Sequence, residues 1–129
     1  MLPFTVTLRP GSSVHEQVVF AVKKAIVSGR LRSGDEFPSV RVLSRELRIN
    51  PNTAHKVVST LTGDGLLDVR PGIGTFVAER PASDARDRRA LLREVVERLV
   101  VGARYLNLDV QDVLDAVVEH WSRLDRGSR

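Results

Sequence analysis

The sequence predicts a mainly α-helical chain with one small β-hairpin, in two parts, residues 1–80 and 81–129. Three observations carry this. A capping residue stands before an apolar run at Ser13, Ser39, Asn50 and Asp109, the start signal of a helix. After each, apolar residues return every three or four positions, the period of a helix with one buried face. Finally, Pro71-Gly72 sits between two β-prone runs, as a hairpin turn would.

From Ser13, the positions Val14, Val18, Val22, Ala25 and Ile26 follow a helical period, and Ser13 with Glu16 fits a capping box. Gly29 supplies the stop. The stretch RLRSGDEFPS contains Gly34 and Pro38 and reads as a connection ending at Ser39, the second N-cap. A short helix follows with Leu43 and Leu47 inward. In INPNTAHKVV, Asn50 is a favoured N-cap and Pro51 falls at the first helical position, where a missing N–H is harmless and a fixed φ suits the helix. The proline therefore begins a helix. Ala54, Val57, Val58 and Leu61 form its apolar face, and Asn52, His55, Lys56 and Ser59 cluster opposite. The link from Leu47 to Asn50 is so short that the two helices must meet steeply, which makes a helix-turn-helix.

Beyond it, GDGLLDV and GTFVAE flank RPGI, a hairpin starting after Gly65. An initial strand at Phe4 to Leu8 is expected from its alternating apolar residues. Helix, helix-turn-helix and hairpin in this order make a winged helix-turn-helix domain.

The segment PASDARDRR, residues 81–89, reads as a hinge into a new helix. There Leu91, Leu92, Val95, Val96, Leu99, Val100 and Ala103 form a broad apolar stripe. Asn107 fits a left-handed C′ position and Asp109 a cap for the next helix, which carries Val110, Val113, Leu114, Val117, Val118, Trp121 and Leu124. Two short helices cannot bury such wide stripes against each other alone. They need another surface, most simply the same pair in a second subunit. Leu92, Val95, Val96, Leu99, Val113, Val117 and Trp121 are the candidate dimerisation residues of a two-helix C-terminal tail. Trp121 in this stripe reads as core or interface before ligand cage.

Net charge is +4, with 11 Lys/Arg against 7 Asp/Glu in residues 1–80 and 9 against 9 in residues 81–129. The positive excess lies in the first part, compatible with a polyanion-binding module joined to a neutral one. The chain has no cysteine, which excludes disulfides, thiolate metal sites and Cys nucleophiles. His15, His55 and His120 fall in separate elements without metal spacing, so neither a metal nor a cofactor is expected. No nucleophile motif appears, and the run Asp109, Asp112, Asp115, Glu119 reads as a solvated face; no enzyme is expected. MLPFTVTLRP lacks the signature of a signal peptide and no segment is long and apolar enough to span a membrane, so the expected location is cytoplasmic.

The stretches AIVSGRLRSGDEFPSVRVLSREL, INPNTAHKVVSTLTGDGLL and VRPGIGTFV, in that order and spacing, resemble the GntR family of bacterial transcription regulators over about residues 13–79. The short tail and Asn-Pro-Asn-Thr at the start of the recognition helix resemble the YtrA subfamily. This resemblance implies a tail that chiefly dimerises. It makes Arg41 a DNA contact from the second helix, places Asn52, Thr53, His55 and Lys56 at positions facing bases or phosphates, and matches Gly72 and Gly74 to a wing tip that approaches the minor groove. Two departures stand out: Pro51 where an Arg is frequent, and His55 where another basic residue is frequent.

Chemically, a helix N-terminus facing DNA directs unpaired N–H groups at phosphate, and Asn50, Asn52 and Thr53 sit there. Asn50 is first a cap and second a candidate contact. Asn52 can pair with adenine, His55 can donate to guanine, and Lys56 can reach guanine or phosphate. Arg45 and Arg48 suit phosphate or solvent, and Arg70 suits a phosphate or the minor groove. Gly72 and Gly74 serve the turn in any case.

The expected protein is a homodimeric, sequence-specific transcriptional regulator. It acts as a repressor on double-stranded DNA, at a palindromic, inverted-repeat operator. The subfamily resemblance implies control of its own operon with transporter genes. The tail alone has little volume for a small-molecule effector, and no residue pattern assigns one. The rival from another class is a winged-helix protein interaction module without specific DNA binding, whose duplex affinity would barely respond to salt.

Overall fold

The computed structural model describes residues 2–79 and 84–127. They divide into two compact units, one built around residues 2–79 and one around residues 84–125.

In the first unit α1 (Val14–Val27) opens on Ser13, whose side chain accepts from the Glu16 N–H at 3.3 Å. It buries Val18, Val19, Val22 and Ala25. The connection then contributes β1 (Glu36–Phe37), which pairs antiparallel with Thr75 and Phe76. Next come α2 (Val40–Leu47), capped by Ser39, and α3 (Pro51–Gly63). β2 (Leu67–Arg70) and β3 (Gly74–Val77) form the hairpin, with Leu67 opposite Val77 and Arg70 opposite Gly74. The sheet order is β1-β3-β2.

The expected strand at Phe4 to Leu8 is not formed. Phe4 is instead buried and stacked on Phe37, with ring centroids 5.8 Å apart and planes at 7°. The third strand comes from Glu36–Phe37, so the N-terminal segment joins the core by aromatic packing and not through the hydrogen-bonded ladder. Leu31, Leu43, Leu61, Val18, Val22 and Val57 are the largest fully buried side chains. Burial of each contributes about 1.5–3 kcal/mol. α1 and α2 both pack on α3, and His15 Nε2 lies 2.8 Å from Thr60 Oγ1 to tie α1 to α3.

The second unit contains α4 (Ala85–Ala90), which continues through a π-helical turn at Leu91–Val95 into α5 (Val96–Tyr105), and then α6 (Val110–Gly127). The expected hinge through residue 89 is shorter than the sequence suggests. Asp84 accepts from the Arg86 N–H at 2.8 Å and starts the helix at Ala85; residues 81–83 lie outside the described residues. Asn107 takes a left-handed φ of 60°. The Leu108 N–H donates to Ala103 O at 2.9 Å and the Asn107 N–H to Arg104 O at 3.1 Å, a Schellman stop that turns the chain. Asp109 and Asp112 then cap each other's backbone N–H at 2.9 and 3.1 Å. Ala103 is the one buried hydrophobic residue of this unit among the described residues.

Candidate nucleic-acid interface

The turn between α2 and α3 is made by Arg48, whose φ of 54° is left-handed and uncommon for a residue with a side chain. That conformation lets the Ile49 N–H donate to Ser44 O at 3.1 Å while Ser44 Oγ donates to Ile49 O at 2.7 Å, closing the corner within a few residues. Asn50 follows as the N-cap, its Oδ1 accepting from the Asn52 N–H at 2.8 Å, and Pro51 occupies the first helical position. Ala54, Val57 and Leu61 are buried beneath α3, which holds its other face outward.

On that outer face Asn52, His55, Lys56 and Ser59 are exposed and Thr53 is half-buried. At about 1.5 Å of rise per residue, Asn52 to Lys56 spans little more than one helical turn, so their donors form one compact polar surface at the N-terminal end of α3. Asn50 reaches this end too, but its carbonyl oxygen is committed to the cap, so its side chain has an amide N–H₂ to offer an anion. Arg41 is exposed in the first turn of α2, and Arg45 is exposed on the same short helix.

At the wing, the Ile73 N–H donates to Arg70 O at 3.0 Å around Pro71 and Gly72. Gly72 has φ 76° and Gly74 φ 149°, values that a side chain would strain. Arg70 does not project freely: its Cζ lies 4.5 Å from the centre of the Phe76 ring and its Nε 3.7 Å from Asp68 Oδ2. Sequence reasoning did not single out Ile73, which is 72% exposed at the turn. Its signal was an apolar residue between two glycines, where turn chemistry calls for none.

The structure thus gathers Asn50, Asn52, Thr53, His55 and Lys56 on one helix end, sets Arg41 on the helix packed against it, and places Arg70, Gly72 and Gly74 on the hairpin. Of the tail residues, Leu92, Val95, Val96, Leu99, Val117 and Trp121 are exposed and Val113 is half-buried, Trp121 at 71%. Leu99, Val113, Val117 and Trp121 line a groove of about 710 Å³ between α5 and α6, with Leu106, Leu108 and Leu124 along it, roomier than the sequence suggests. The acidic run on α6 is satisfied locally. Asp109 and Asp112 are caps, Asp115 accepts from Gln111 at 2.7 Å, and Glu119 pairs with Arg123. Among the described residues no cluster of His, Asp or Glu could hold a metal ion, and no helix is long and apolar enough to cross a membrane.

A two-helix corner closed within a few residues, an exposed polar helix end beyond it and a three-stranded sheet that carries a hairpin define a winged helix-turn-helix DNA-binding protein. The family model described as "Bacterial regulatory proteins, gntR family" matches residues 14–77. The HTH-type transcriptional repressor YtrA of Bacillus subtilis is 25% identical, over 86% of both chains. The HTH-type transcriptional regulator YhcF of the same organism is 30% identical over 81% of this chain and 86% of its own. A solved transcriptional antiterminator from Listeria monocytogenes shares the fold with a TM-score of 0.83, at 23% identity over 94% of this chain and 91% of its own. The chain belongs to the GntR family and is a DNA-binding transcriptional regulator, not an enzyme.

Proposed function

We propose that the chain is a homodimeric repressor that binds an inverted-repeat operator, with residues 1–80 as the DNA-binding domain and residues 81–129 as the dimerisation domain. The observation that carries this reading is the exposed N-terminal face of α3. Asn52, His55 and Lys56 stand outward from a helix anchored by the buried Ala54, Val57 and Leu61. Inserted N-terminus first into the major groove, the helix brings the positive end of its dipole toward phosphate while Asn52 and His55 reach base edges. Arg41 adds phosphate affinity. Two such helices related by a twofold axis read two half-sites one helical turn apart.

The exposed apolar face of α5 and α6 supports the dimer. A second copy laid along the groove would cover Leu99, Val117 and Trp121, which otherwise remain in water. The repressor role, and an operon of the protein's own with transporter genes, rest on likeness to the YtrA subfamily.

The test is a titration against the DNA upstream of the protein's own gene, repeated at several salt concentrations. Specific affinity should fall steeply with salt, and Asn52→Ala with His55→Ala should flatten sequence preference by about 1–3 kcal/mol per lost base contact without unfolding the domain. No preference of the wild-type protein over random duplex would defeat the reading and favour a protein interaction module.

A further inference from the structure

We propose that Ile73 is a specificity-determining residue that enters the minor groove beside the major-groove half-site and selects A·T over G·C pairs there. The inference rests on the DNA-binding reading above and adds to it a residue and a base preference.

The turn presents Ile73 in one fixed way. Pro71 holds its own φ, Gly72 takes φ 76°, and the Ile73 N–H is tied to Arg70 O at 3.0 Å. On either side stand glycines, and nothing lies within 4 Å of where a Cβ on Gly72 would be. The tip is therefore bare backbone with one branched aliphatic side chain standing out of it, 72% exposed. Such a profile is narrow enough to approach a minor groove about 6 Å wide.

Charge at the tip does not favour an ionic reader. Residues 71–75 are Pro, Gly, Ile, Gly and Thr. The nearest cation, Arg70, lies over Phe76 and beside Asp68. Glu36 Oε1 sits 4.0 Å from the Cβ position of Gly74. A tip that meets DNA here meets it with apolar surface.

The minor groove then decides the preference. Both kinds of pair show acceptors at its floor, but G·C adds the guanine N2 amino group, which projects into the groove and needs an acceptor. The sec-butyl side chain of Ile73 supplies none. Pressed against G·C it would leave that donor dry and unpaired and would have less room. Against A·T it meets neither penalty.

Inosine separates this from every major-groove effect, since it lacks the N2 amino group but keeps the major-groove edge of guanine. In a duplex carrying the preferred site, each A·T pair flanking the half-site is replaced first by G·C and then by inosine·C, and affinity is measured by anisotropy. G·C at the wing position should weaken wild-type binding about tenfold, the scale of one mismatched pair, and inosine·C should recover most of it. Ile73→Ala should bind all three alike. Ile73→Asn, whose carbonyl can accept from the amino group, should favour G·C. Inosine·C as weak as G·C, full discrimination kept by Ile73→Ala, or a wild-type protein indifferent to flanking pairs would each overturn the inference. A wild-type protein that prefers no site over random duplex would instead fail the DNA-binding reading itself.

Discussion

Two substitutions at Asn50 separate what this residue does for the fold from what it does beside DNA. Asn50→Ala removes the oxygen that accepts the Asn52 N–H at 2.8 Å. The cap is exposed, so the expected cost is that of an ordinary N-cap, about 1 kcal/mol within a span of about 0.5–2. In a domain of this size that lowers Tm by about 4–8 °C per kcal/mol. Asn50→Asp keeps an oxygen in the same place and caps as well as Asn, and its charge suits the positive end of α3. Tm should hold or rise slightly. Facing phosphate, the same charge repels, by about 1 kcal/mol at 4 Å in water and about 4 kcal/mol at an effective dielectric of 20. Even the lower figure is roughly a fivefold loss for each recognition helix. Thermal melts followed by circular dichroism, with anisotropy titrations at low and high salt, read both effects. The alanine variant should melt early and bind moderately worse, whereas the aspartate variant should melt normally and bind poorly at low salt. Full binding by Asn50→Asp at low salt would show that the start of α3 is turned away from the phosphates. An unchanged Tm in Asn50→Ala would show that the cap carries no stability.

Arg48→Gly should relieve the left-handed backbone at φ 54° and raise stability by up to about 1 kcal/mol in urea unfolding. If Arg48 touches phosphate, the same variant should make the log–log salt slope shallower by about 0.9 per lost contact, and an unchanged slope would mark the side chain as solvated. Leu61→Ala empties a fully buried position under the reading helix and should cost about 2–5 kcal/mol, read from the urea midpoint. Trp121→Glu places a charge on the exposed stripe of α6. It should give a monomer by sedimentation while the first unit melts as before, and a persisting dimer would remove the tail from the interface.

The helices of the first unit were legible because their starts are local chemistry. Ser13, Ser39 and Asn50 each cap in the structure as their side chains dictate, and Pro51 begins α3 for the reason its sequence position suggests. The polar face of α3 was legible for the same reason, since a helical period maps directly to a surface. The misplaced strand shows the limit. Phe4 to Leu8 alternates as a strand would, and Glu36–Phe37 sits in a segment that reads as a connection. Strand pairing depends on which chain segment arrives beside β3, and two residues have no period to display. The early start of α4 was missed because a small, charged run resembles a hinge, and one aspartate cap outweighed that composition.

Arg70 and Ile73 mark the same boundary at the wing. Sequence alone offered Arg70 as a contact to a phosphate or to the minor groove, since a cation beside a Pro-Gly turn suits either. Cross-strand pairing set Asp68 opposite Phe76, and packing laid the guanidinium over that ring, which left Ile73 as the side chain exposed at the tip.

By itself, the sequence determined what short-range chemistry can determine: the caps, the helical periods, the short corner after Leu47, the polar end of the third helix and apolar stripes too wide for two helices to bury. The tertiary structure decided what depends on partners distant in the chain, namely β1 beside β3, Phe4 stacked on Phe37, and Arg70 drawn back from the wing tip. Caps and periods are contacts among residues within four positions of one another, whereas pairing and packing exist only once the chain has closed its loops.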